Sequence, residues 1–254
     1  MDKMIISTNY QIDKERTLNF ICYINKMFKI NLPQILIKMA ENKKSDNEIY
    51  NFIKSKLSIY DHDKNYIENL KRKAESIFKL TYQYLPKGNI LDIGTEDIEF
   101  LKMLENKFGC DAYGINIADC IGYNNSSKNY DKFSIYDKII PHPNKNFVLV
   151  TILSVIHHIR DEDLQNFISE ACRVCSHYIY VKDVNLICQS AIDFFTAQHD
   201  IFEGGIVGSK PYYRNNNITA ERIIAEFKKN NFKLHSIIYQ QNFNNTIIAI
   251  FMRI

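Results

Sequence analysis

The stretch NILDIGTEDIEFLKMLENKFGCDAYGINIAD, from Asn89 to Asp119, decides the fold. Its first five residues read as a buried strand. A turn follows at Gly94, and then Ile98, Leu101, Leu104 and Phe108 recur at helical spacing. A second strand is predicted over 111–116. The order is β-α-β, with a ligand-binding turn at the first junction. A glycine-rich loop is expected at that junction, but Glu96 and Asp97 stand there.

Strands and helices alternate onward from this unit. A short strand is predicted near Phe133–Tyr136, an apolar central strand at Phe147–Ile152, a helix over 161–174 and a strand at Tyr178–Val181. A helix near 188–200, a loop holding Gly204, Gly205 and Gly208, a helix over 219–230 and strands at 232–239 and 245–252 complete the pattern. Alternation of this kind argues for an α/β domain with a mainly parallel sheet. The preceding residues read as helices. Leu18, Ile21, Ile24 and Phe28 share one face, Ser45-x-x-Glu48 is a capping box, and a longer helix from about Asp63 carries Ile67, Leu70, Ala74, Ile77 and Phe78. The expected organisation is a helical arm or lid over 1–86 and an α/β domain over 87–254, which the resemblance given below makes Rossmann-like.

Hydrophobic residues make up 46% and charged residues 24%, which suits a globular protein. The longest largely apolar run, Phe147–Ile156, is too short for a membrane span, and the N-terminus lacks the basic-then-apolar order of a signal peptide. A cytoplasmic location without membrane attachment is expected. Cys172 and Cys175 form a CxxC with no second pair, so small buried residues near a helix end are expected rather than a metal or redox site. Residues 1–88 hold 16 Lys/Arg against 10 Asp/Glu, a basic balance compatible with nucleic acid or with a solvated helical face.

ILDIG at 90–94, YGINI at 113–117, YD at 136–137 and FVLVTILSVIHHI at 147–159 resemble, in order and spacing, the motifs of class I S-adenosylmethionine-dependent methyltransferases. The resemblance spans about 89–254 and implies a seven-stranded sheet whose last strand is antiparallel, with S-adenosyl-L-methionine as cofactor. It assigns to the cofactor Asp92, Gly94 and Glu96 from the first motif, Asn116 and Ile117 from the second, Asp137, and Leu153 after the fourth strand. Asn116 stands where the family has an acid for the ribose hydroxyls. Glu96 and Ile98 replace two glycines of Gly-x-Gly-x-Gly.

Candidate catalytic groups are Lys182, His158 and His199. Lys182, His199-Asp200 and Tyr213-Arg214 together are similar to methyltransferases of large DNA viruses, which implies a host-cytoplasmic setting. Lys182 also stands at the strand-five lysine of the Lys-Asp-Lys-Glu set of ribose 2′-O methyltransferases, but Ile152 replaces the aspartate of that set. The resemblance implies methyl transfer to RNA, cap-related RNA included, or to an oxygen or nitrogen of a small molecule. The lost glycines and Asn116 equally suit an inactive pseudo-methyltransferase that serves as a binding or stimulatory subunit, with the N-terminal helices as a surface for a protein partner. No Gly-x-Gly-x-x-Gly lies at 94–99, which argues against a nicotinamide oxidoreductase.

Overall fold

The computed structural model describes residue 42 and residues 62–95, 97–116, 131–135, 138–187, 215, 217–240 and 246–254. The chain divides into two compact units, Met1–His62 with Asp193–Pro211, and Asp63–Ile192 with Tyr212–Ile254. The helices expected before residue 62, the helix near 188–200 and the glycine loop lie outside the described residues.

In the second unit β1 (Asn89–Ile93), β2 (Ala112–Asn116), β3 (Phe133–Ile135), β4 (Phe147–Leu153), β5 (Cys175–Val184), β6 (Phe232–Gln240) and β7 (Thr246–Arg253) form one sheet. The strand order is β3-β2-β1-β4-β5-β7-β6. β7 runs antiparallel to both neighbours, and the other pairs are parallel. The seven-stranded sheet with an antiparallel last strand is therefore as expected.

Strand alternation sends successive side chains to opposite faces. One face takes Ile90, Leu149, Tyr178 and Tyr180, covered by Leu70, Ala74 and Ile77 of α1 (His62–Thr81) and by Leu101 and Leu104 of α2 (Ile98–Phe108). The other takes Leu91, Val150, Ile179 and Val181, covered by α3 (Asp161–Val174) and α4 (Ala220–Lys229). The apolar stripe of α1 is part of the sheet's core, and α1 from Asp63 onward belongs to the second unit.

Local chemistry sets the helix ends. The Asp97 side chain caps α2 by accepting from the Glu99 amide at 2.8 Å, and Gly109 ends it in the left-handed conformation. Ile98 is the first helical residue of α2, which is why no third glycine is needed there. Thr219 caps α4 in the same way.

The fifth strand is longer than its sequence pattern suggests. α3 passes straight into it between Val174 and Cys175, so it already begins three residues before Tyr178 and continues past Lys182. Cys172 and Cys175 flank that junction, both buried, and burial raises both thiols, Cys175 to about 12. They are thiols at neutral pH and act as packing groups. Among the described residues no helix is long and apolar enough to cross a membrane.

Candidate functional site

The turn after β1 is tightly specified. Gly94 has φ +84°, and a Cβ there would overlap the Val155 side chain. The amides of Gly94 and Thr95 both donate to the Ile115 carbonyl, at 2.8 and 3.1 Å. Asp92 is 3% exposed, and its two carboxylate oxygens accept from Thr151 Oγ1 at 2.6 Å and Thr95 Oγ1 at 2.9 Å. At the end of β2, Asn116 Nδ2 donates to the Thr95 carbonyl at 2.9 Å. The turn is thus held by side chains from β1, β2 and β4.

These contacts redefine two expectations. A ligand-binding turn is expected after β1, and in it the Gly94 and Thr95 amides are used inside the protein. Asn116 is more than a weakened acid. A carboxylate in its place would set an acceptor against the Thr95 carbonyl, so the amide is what this turn requires. Glu96, Ile117, Asp137 and His199 lie outside the described residues.

Beyond β4 the chain reverses sharply. Leu153 ends the strand and packs on the α1–α2 face. Ser154 takes a left-handed φ of 59° while its amide donates to the Lys182 carbonyl at 2.7 Å. A 3-10 turn over Ile156–His158 follows. His157, 3% exposed, places Nδ1 2.6 Å from Asp183 Oδ1. Asp183 also accepts from the amides of Ile156 at 2.8 Å and Val184 at 2.7 Å. Burial pushes the Asp183 carboxyl up, but the His157 charge and hydrogen bond and the two amides outweigh it and hold the carboxyl below its usual range. An ionised Asp183 requires the proton on Nδ1, which fixes the His157 ring.

The same turn gathers later chain. The His157 carbonyl accepts from the Asn215 amide at 2.7 Å, and Asn215 Nδ2 donates to the Ile159 carbonyl and to Asp161. Asn185 Oδ1 accepts from the Ala220 amide at the start of α4.

The sequence points to His158 as the base, whereas the histidine with a buried carboxylate is His157. The two rings lie 4.1 Å apart, with His158 half-buried. Lys182 and Asp183 are neighbours on opposite faces. Lys182 shares the α1 side with Tyr180, and Asp183 follows Val181 on the α3–α4 side. The sheet therefore separates the expected lysine from the histidine–carboxylate pair. Thr95 and Asp183 follow β1 and end β5, at carboxyl ends that the sequence already singles out, whereas Thr151 and Asn215 join the candidate site only through the fold.

No protein-family model and no curated protein matches the sequence. Solved structures do resemble the fold. A SAM-dependent methyltransferase from Methanosarcina mazei is 14% identical over 69% of this chain and 97% of its own, with a TM-score of 0.52. One from Archaeoglobus fulgidus is 15% identical over 72% and 94%, also at 0.52. A structure from Haloferax volcanii, a complex of the Trm112 methyltransferase activator with the protein assigned as its methyltransferase, is 11% identical over 74% and 93%, at 0.51. At such identities the likeness is one of architecture, and the second unit has the Rossmann-like fold of the class I methyltransferases.

Proposed function

We propose that this chain is an S-adenosyl-L-methionine-dependent methyltransferase. The observation that carries this reading is the left-handed Gly94 turn beside Asn116, at the carboxyl edge of a seven-stranded sheet with an antiparallel β7. In such a sheet ligands bind beyond the carboxyl ends of the strands. Gly94, Asn116 and Leu153 are the described residues proposed to line the cofactor, with Glu96, Ile117 and Asp137 added by resemblance. Asp92 shapes the turn through Thr95 and Thr151. The bound cofactor supplies an electrophilic methyl group. The chain's part is to align an acceptor oxygen or nitrogen in line with it, for which Lys182, His158 and His199 are the candidates. RNA is the proposed acceptor, on the basic balance of residues 1–88. A small molecule is its rival.

The test is calorimetry with S-adenosylhomocysteine, then labelled methyl transfer to RNA and to small acceptors. Micromolar binding is expected, and absence of any heat would end the proposal. Asn116→Asp is expected to weaken binding about tenfold, the equivalent of about 1.4 kcal/mol, because the turn loses its donor.

A second reading, an inactive pseudo-methyltransferase serving as a binding subunit, is favoured by one observation. The Gly94 and Thr95 amides, both Asp92 oxygens and the Asn116 amide are all satisfied within the protein. Tighter cofactor binding by Asn116→Asp than by the wild type would support this reading, since it would mark a repaired ribose site.

A further inference from the structure

Ser76 Oγ on α1 and Tyr180 Oη on β5 meet at 3.3 Å, which fixes where the helix lies over the strand. Lys73 is one turn before Ser76, and Lys182 is two residues beyond Tyr180 on the same face of β5. Three helical residues rise about 4.5 Å and two strand residues about 6.6 Å, so the two lysines approach one another toward the carboxyl edge. The sheet partners of Lys182 are both apolar, Leu153 on β4 and Ile248 on β7. Burial first, and the Lys73 charge second, lower the Lys182 pKa, and among the described residues no carboxylate is a cause. Elsewhere on this face lysines are given acids: Lys107 meets Glu75, and Lys132 meets both Glu105 and Asp111.

We propose that Lys73 and Lys182 form a subsite for an anionic group, carboxylate or phosphate, of the methyl acceptor. Two ammonium groups that approach one another in a half-buried site repel, and a bound anion would relieve that repulsion. The same pair disfavours the cationic sulfonium of the cofactor, and the proposal assigns it to the acceptor. The subsite rests on the methyltransferase reading for its place in a reaction, but not for its ligand chemistry. It selects anionic acceptors over neutral isosteres.

The experiment is competitive acetylation of the full chain with trace acetic anhydride, read lysine by lysine by mass spectrometry. Inorganic phosphate or acetate is added at ionic strength held constant with potassium chloride. Lys73 and Lys182 are expected to lose labelling at least threefold, while Lys71, exposed on the same helix, is unchanged. Stronger protection by phosphate marks a phosphate-bearing acceptor, and stronger protection by acetate a carboxylate-bearing one. Lys73→Gln and Lys182→Gln should each remove protection from the remaining lysine, and Lys182→Arg should keep it. Protection absent from the wild type, equal at Lys71, or retained in a folded Gln variant overturns the subsite. Should the Gln variants unfold, the wild-type labelling still decides. Calorimetry with S-adenosylhomocysteine on the same preparation separates the two ideas. Protected lysines without cofactor binding sink the methyltransferase reading alone, and cofactor binding without protection sinks the subsite alone.

Discussion

Asp183→Ala is expected to destabilise the protein by about 3–5 kcal/mol, because it leaves His157 and two buried amides without their acceptor. Urea denaturation at pH 7 measures this, and a loss under 1 kcal/mol would contradict the geometry. The effect has a pH signature. The folded Asp183 pKa is depressed, so its stabilisation is fully present above the ordinary carboxylate value of about 3.9 and is lost as pH falls through the lower folded value. Asp183→Asn should therefore be milder at neutral pH and lack that acid-driven loss. With its Nδ2 in place of Oδ1 and turned to His157 Nδ1, asparagine keeps an oxygen for the Ile156 amide and forfeits only the bond to the Val184 amide.

Gly94→Ala is expected to cost about as much, through two separate effects. The left-handed backbone strains a side-chain-bearing residue by about 1–3 kcal/mol, and the new methyl collides with Val155, adding about 1–3 kcal/mol of overpacking. Cofactor binding should fall below detection, because the turn is part of the proposed pocket. Two companions dissect the result by thermal melting. Gly109→Ala shares the left-handed backbone but meets nothing within 4 Å, so only strain, about 1–2 kcal/mol, should appear. Val155→Ala added to Gly94→Ala should recover the collision part and leave the strain. If Gly109→Ala is the more harmful of the two, the reading of Gly94 as a close approach is wrong.

Much of this was legible in sequence because it is local. Helical spacing from Ile98 to Phe108 and the apolar run of β4 each arise within a dozen residues, and the structure repeats them. Asp92, Gly94 and Asn116 were also visible as positions. Their partners were not. Thr151 reaches Asp92 across 59 residues, and Asn116 reaches Thr95 across 21. Only the pairing of β1 with β2 and β4 brings them together. Sequence alone does not separate His157 from His158, because the buried carboxylate that distinguishes His157 lies on a strand that extends past its apparent end. Period-2 alternation does separate Lys182 from Asp183. It does not say which face holds the histidine or which holds Lys73.

β5 also bears on how this protein can diverge. Lys182 and Asp183 stand side by side and serve opposite faces of the sheet, one toward α1 and the other toward the turn after β4. Substitutions elsewhere in β5 alter packing by degrees. A one-residue insertion or deletion ahead of this pair would turn the carboxylate toward α1 and the lysine into the buried histidine. A length change within β5 thus disturbs both arrangements at once, whereas a length change in a connecting loop leaves the pair on its two faces.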